Sequence, residues 1–135
     1  MPHDELTPQQ AAARTHFVEQ VRQAGWDLRG WESLFAAGIA LTPEATAEYE
    51  QAAFRLRLSY YLVEGYLLLE LQPYTADPVL SIRFYPADQL DAVLAAVFAV
   101  QDTLTPDNDV DSLAAAAVLC EQVFIETPDG LEQIV

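Results

Sequence analysis

The residues best suited to nucleophilic chemistry in this chain are Cys120, His3 and His16. A nucleophilic site needs a nucleophile, a base within hydrogen-bond reach and a group that orients the base. His3 falls in a terminus that we expect to be frayed, and His16 falls on the first predicted helix. Cys120 shares a helical stripe with Leu113 and two alanines, where a small buried thiol is ordinary packing. The sequence therefore disfavours a Cys/His site, and a non-enzymatic function is the stronger expectation.

Three aspartates at alternate positions, Asp107, Asp109 and Asp111, form the run that most resembles a metal site. Calcium-binding loops space oxygen ligands in this way, but they also need a glycine at the sixth position and a glutamate at the twelfth. Here those positions hold Ser112 and Val118. A helix start explains the aspartates better, because acidic side chains stabilise the N-terminal end of a helix. All the glycines are isolated, so no phosphate-binding loop is indicated, and we expect neither a metal nor a cofactor.

Arginine and tyrosine side chains collect on one face of the predicted sheet. Both types are common at the energetic centres of protein interfaces, so this face is a candidate surface for a partner or ligand. Alternatively, the arginines pair with Glu70 and neighbouring acids on a covered or solvated face. A third interpretation places a carboxylate or phosphate among Arg57, Arg83, Tyr61 and Tyr66. The candidate residues of this face are Arg55, Arg57, Tyr61, Tyr66, Arg83 and Tyr85.

Negative charge dominates the chain, which has 21 acidic residues, six arginines, no lysine and a net charge of −15. Direct nucleic-acid binding is disfavoured, because cationic contacts to phosphates supply most of such affinity. From Phe84 to the C-terminus there is no arginine or lysine, so this half would attract a partner with a basic surface. The simpler interpretation is that the acids keep the protein soluble. The acidic candidates for partner binding are Asp102, Asp107, Asp109, Asp111 and Glu121.

The elements that would position these residues centre on a stretch of alternating apolar and polar side chains from Phe54 to Tyr85. This alternation predicts a three-stranded antiparallel meander. A two-residue turn at Glu64 and Gly65 would place Leu58 opposite Leu71. Residues 123–126 form a fourth short strand in the same pattern, and residues 131–135 form a tail without a predicted state.

Helices are predicted on both sides of the meander. Thr7, Pro8 and Gln10 form the start signal of a helix that should reach Ala24. Further helices are predicted over 31–37, 43–53, 86–104 and from about 109 to 119. The two C-terminal helices should pack on one face of the sheet. The helix over 86–104 is apolar nearly all round, so either its successor or a second copy of the chain should cover it, and a homodimer is compatible with both.

The predicted fold class is therefore α+β, with residues 1–135 forming one domain and residues 1–6 frayed. A single cysteine excludes an internal disulfide, and the acidic start and short apolar runs predict neither a signal segment nor a membrane helix. A cytoplasmic location is expected.

In element order and charge the chain is similar to bacterial secretion chaperones, although no motif residue is shared. The predicted function is a small acidic inhibitor, immunity protein, antitoxin or chaperone that binds a basic partner protein. The alternative is a small-molecule or anion-binding domain, which could be enzymatic, on the Arg/Tyr face.

Overall fold

An antiparallel sheet in which every strand pairs with its neighbours in sequence forms the framework of the molecule. The structure is a computed structural model that describes residues 7–29, 45–61, 65–75, 79–105, 108–127 and 130–133. The strands are β1 (Asp27–Arg29), β2 (Ala45–Glu50), β3 (Phe54–Tyr61), β4 (Tyr66–Pro73), β5 (Leu80–Tyr85), β6 (Gln122–Thr127) and β7 (Gly130–Gln133), in the sheet order β1-β2-β3-β4-β5-β6-β7. The helices are α1 (Pro8–Gln23), α2 (Leu90–Ala99), α3 (Asp109–Ser112) and α4 (Ala114–Ala117).

The start of α1 is as predicted. Thr7 is the N-cap, its side chain accepts a hydrogen bond from the backbone N–H of Gln10, and the Gln10 side chain accepts one from the backbone N–H of Thr7. This reciprocal capping satisfies two backbone donors that the first helical turn cannot satisfy itself. Phe17 and Val21 then point from α1 into the core, where both are fully buried.

One face of the sheet, which we call the helical face, packs against the helices. Because side chains alternate along a strand, this face carries the leucines of β3 and β4 other than Leu68, together with Ile82, Phe84 and Val123. A single apolar cluster joins them to Phe17 of α1, Val93, Leu94 and Val97 of α2, and Ala116 of α4. The buried leucines of the helical face are Leu56, Leu58, Leu67, Leu69 and Leu71.

The prediction of a three-stranded meander is wrong, because the sheet has seven strands. Residues 45–50, assigned to a helix over 43–53, form β2, while residues 43 and 44 lie outside the described part. Ala45, Ala47 and Tyr49 alternate in β2 and pair with Tyr60, Leu58 and Leu56 of β3. The apolar pattern here was compatible with both a helix and a strand, and the open edge of β3 selects the strand. The C-terminal tail also becomes a strand, β7.

The predicted register between β3 and β4 is also wrong, by two residues. Leu58 lies opposite Leu69 instead of Leu71, and Tyr61 lies opposite Tyr66. Four residues, 62–65, therefore connect the strands instead of two. A shift of two residues leaves every side chain on the same face, which is why the predicted faces survive the error.

The late helices are shorter than predicted. The second helix ends at Ala99, where the chain turns, and the Gln51 side chain donates hydrogen bonds to the backbone carbonyls of Gln101 and Leu104 at 2.7 and 3.1 Å. The next helix is broken at Leu113 into α3 and α4. The prediction of two C-terminal helices on one sheet face is therefore wrong, and of the two alternatives for covering α2, the structure shows α4 packed against it. The short helix predicted over 31–37 lies outside the described residues, and no helix in the described part is long and apolar enough to cross a membrane.

Candidate functional site

Two surfaces hold the residues that the sequence singled out: the side of the sheet opposite the helices, which we call the polar face, and the outer side of α2, α3 and α4. Five adjacent strands place Glu48, Arg57, Glu70, Ser81 and Glu126 opposite one another on the polar face. We call this set the polar row. Glu70 and Ser81 are fully buried, and Arg57 is 4 % exposed. Removing a charged side chain from water costs free energy unless the charge is paired. The pairing within the polar row therefore determines whether the row stabilises the fold.

Arg57 lies between two carboxylates. Its Nε donates a hydrogen bond to Oε2 of Glu48 at 2.9 Å, and its Nη2 donates to the same oxygen. On the other side of Arg57, Glu70 lies directly opposite it on β4. The positive charge of Arg57 is thus held inside the sheet by its ion pair with Glu48.

Arg83 is held in a similar way. Its Nη2 and Nε lie 2.9 and 3.3 Å from Oε1 of Glu126 on β6. Its guanidinium carbon also lies 4.9 Å from the ring centroid of Tyr66, a distance at which a cation and an aromatic face attract each other. The side chain therefore has an acidic partner and an aromatic partner within the sheet.

The tyrosines of this face form a ladder across three strands. The rings of Tyr61 and Tyr66 are stacked with centroids 4.7 Å apart, and Tyr85 follows at 5.3 Å from Tyr66. Phe124 of β6 meets the edge of Tyr85 at 5.8 Å. Tyr61 and Tyr66 are each 4 % exposed, so most of the ladder's area is already packed inside the protein.

The polar face therefore combines internal ion pairs with internal aromatic packing. An anion at Arg57 or Arg83 would compete with Glu48 or Glu126 for the guanidinium, and at Arg57 it would also meet the charge of the neighbouring Glu70. Arg55, Arg83 and Tyr85 keep part of their surface, whereas Arg57, Tyr61 and Tyr66 are buried. The geometry favours the interpretation in which these arginines pair with neighbouring acids.

The carboxylates around α2, α3 and α4 form the second surface. Asp88 and Asp91 lie near the start of α2, Asp102 follows its end, Asp111 lies in α3, and Glu121 lies between α4 and β6. All five are exposed, and we call them the acidic helical surface. It includes three of the predicted acidic residues; Asp107 lies outside the described part of the chain, as does the side chain of Asp109.

Two of these carboxylates also contact neighbouring elements. Asp91 Oδ1 lies 2.6 Å from Nε2 of His16 on α1, and Asp102 Oδ1 accepts a hydrogen bond from the hydroxyl of Tyr49 on β2. The bond to Asp102 raises the pKa of Tyr49, because a phenol that donates to a carboxylate resists losing its proton. These contacts fix Asp91 and Asp102 against α1 and the sheet.

An exposed apolar side chain lies between two of these carboxylates in the sequence. Val118, at the end of α4, is 77 % exposed, and Ala114 and Ala115 beside it are exposed too. Protein interfaces combine an apolar centre with a polar rim, and the charged residues nearest to Val118 in the sequence, Asp111 and Glu121, are both acidic. The sequence did not single out Val118, Asp88 or Asp91 as surface candidates, because a helix with alanines on every side has no pattern that shows which side faces outward.

Cys120 is buried behind α4, and its Sγ lies 3.4 Å from the carbonyl oxygen of Ala116. Burial raises the pKa of this thiol from an ordinary value of 9.0 to about 11. Since the thiolate is the reactive form, we expect an aromatic disulfide reagent at pH 8 to modify the native protein about a hundredfold more slowly than the urea-unfolded chain. Equal rates in the two states would contradict the buried position of Cys120.

The described part of the chain has no group of three or more His, Cys, Asp or Glu side chains placed to hold a metal ion. What the fold defines is an α+β protein with an antiparallel sheet, a packed polar face and an acidic helical surface. No protein-family model, curated protein or solved structure matches this chain.

Proposed function

We propose that this protein is a non-enzymatic binding module that captures a partner protein through the acidic helical surface. The observation that carries the proposal is the exposure of five carboxylates around α2, α3 and α4 in a half of the chain that has no arginine or lysine. The exposed Val118 lies between Asp111 and Glu121 in the sequence. A basic partner with a small apolar contact would complement this arrangement in both charge and hydrophobicity.

The pairing of the arginines on the polar face also supports this proposal. Arg57 and Arg83 are held by Glu48 and Glu126 inside the sheet, so they do not offset the exposed acids on the far side of the helices. An acidic inhibitor, immunity protein, antitoxin or chaperone would have this distribution of charge. Electrostatic attraction would raise the rate of encounter, and Val118 would add contact area once the partner is bound.

The test compares two variants of equal charge in affinity capture from a native lysate. One is Asp111→Asn/Glu121→Gln, on the acidic helical surface. The control is Glu19→Gln/Glu50→Gln, which neutralises two exposed acids on α1 and β2. The unmodified protein and the control should retain the same basic protein at low salt and lose it at high salt.

Affinity for that purified protein should fall about tenfold in the first variant, because each exposed pair contributes up to about 1 kcal/mol. The control variant should stay close to the unmodified chain. Equal losses of affinity in the two variants would show that net charge alone determines binding. A partner retained at high salt would contradict the electrostatic basis of the proposal.

A further inference from the structure

The last strand, β7, forms one open edge of the sheet. It pairs with β6 on one side, and no strand in the described part of the chain lies on its other side. All four of its residues are exposed, and Leu131 is 48 % exposed. The opposite edge is different, because β1 has three residues and α1 lies against it.

The register of β7 determines which backbone groups face outward. Thr127 and Gly130 pair across a connection of two residues, and strands joined so closely can pair there only with hydrogen bonds between those two residues. Hydrogen-bonded and non-hydrogen-bonded pairs alternate in an antiparallel ladder. Leu131, opposite Glu126, therefore belongs to a non-hydrogen-bonded pair, and its N–H and C=O point away from β6.

The charge beside this edge favours one kind of occupant. Glu121 and Glu132 lie on or next to β6 and β7, whereas Glu126 is already paired with Arg83, and no arginine or lysine follows Phe84. Self-pairing of two β7 strands would bring two Glu132 carboxylates into the same short ladder, which is unfavourable. An extended segment with basic side chains would instead meet opposite charge, and Leu131 would supply an apolar contact.

We propose that β7 is a docking edge on which an extended, basic segment of the partner protein adds as an eighth strand. The backbone N–H and C=O of Leu131 form the hydrogen bonds of this addition, as when peptides extend other sheets. Glu132 and Leu131 face opposite sides of the new strand, so they select a segment that alternates basic and apolar or β-branched residues. This inference rests on the proposed function, since it assumes a basic partner.

The test uses a short synthetic peptide that alternates arginine and threonine, with a glutamate/threonine peptide as control. Binding is measured by fluorescence anisotropy at low salt to the full chain and to two variants. Leu131→Pro removes the outward N–H and leaves the β6–β7 ladder intact, as proline is tolerated on edge strands. Leu131→Thr shortens the same side chain but keeps the donor.

The basic peptide should bind the unmodified chain and the threonine variant within about threefold of each other, and the proline variant about tenfold more weakly. The acidic peptide should not bind. Amide hydrogen exchange supplies a second readout that does not depend on how well the proline variant folds. In the unmodified chain, the basic peptide should slow exchange at the Leu131 amide.

Equal binding by all three proteins, or unchanged exchange at Leu131, would overturn the docking edge. If the peptide then still bound in a salt-sensitive way and weakened in Asp111→Asn/Glu121→Gln, the proposed function would stand without strand addition. If neither the peptide nor a basic lysate protein bound, both proposals would fail. Concentration-dependent dimerisation abolished by Leu131→Pro would assign β7 to self-association and overturn the inference as well.

Discussion

Replacing Arg57 with methionine is expected to lower the free energy of unfolding by about 4 kcal/mol. The substitution keeps a long, unbranched side chain but removes the charge that lies between Glu48 and Glu70. Glu48 is 9 % exposed and Glu70 is fully buried. The substitution would therefore leave two carboxylates out of water, one on each strand beside β3, without the positive charge between them. Urea unfolding followed by circular dichroism measures the change.

Arg55→Met is the matched control for this prediction. Arg55 lies on the same strand and the same face, but it is less deeply buried and lies opposite Gln72 and the exposed Glu50. Its loss should cost about 1 kcal/mol or less. Neutralising the acids in the triple variant Arg57→Met/Glu48→Gln/Glu70→Gln should recover much of the stability lost in Arg57→Met.

Glu48→Gln alone should be milder than Arg57→Met, because Arg57 would still face Glu70. A small effect of Arg57→Met, equal to that of Arg55→Met, would show that the polar row is not held by charge. The order of the four variants therefore tests the arrangement of the row as well as its strength.

The second large effect is expected at Trp26, where alanine should cost about 4 kcal/mol. Trp26 is 3 % exposed and packs against Tyr49 and Phe98, with ring centroids 5.6 and 5.8 Å away. Its Nε1 donates a hydrogen bond of 2.7 Å to Oε1 of Gln101, whose Nε2 donates to the carbonyl of Ala24. This residue therefore joins the end of α1 to β2 and to the turn after α2.

Trp26→Phe separates the two contributions of this side chain. Phenylalanine keeps most of the ring contacts but leaves the buried Oε1 of Gln101 without its donor, which should cost about 1 to 2 kcal/mol. Chemical unfolding of both variants gives the comparison. If alanine and phenylalanine destabilise equally, the hydrogen bond dominates, and the expected packing role of the indole is wrong.

Both predictions concern buried side chains, whereas the carboxylates of the acidic helical surface are exposed. This difference separates stability from binding. Variants of the polar row and of Trp26 should change unfolding without a direct effect on partner affinity. Variants of Asp111 and Glu121 should do the reverse, because exposed charges contribute little to folding.

Local patterns in the sequence determined the start of α1, the alternation of β3, β4 and β5, and the division of their side chains between two faces. The capping signal of Thr7 and Gln10 involves neighbouring residues only, and the side chains of a strand alternate whatever its partner is. The excess of acids in the C-terminal half is likewise a property of composition. The sequence also brought Arg57 and Glu70 to the same face, although it placed them diagonally.

Tertiary structure decided the number of strands, the register between β3 and β4, and the function of each polar side chain in the fold. Residues 45–50 become β2 because the edge of β3 is open for pairing. Residues 130–133 become β7 because the edge of β6 is open in the same way. The two-residue shift between β3 and β4 was invisible in the sequence because it preserves both faces. Pairing across strands then brought Arg57 to Glu48 and Arg83 to Glu126. It also left the backbone N–H and C=O of Leu131 directed outward, because the register of a sheet determines which backbone groups pair.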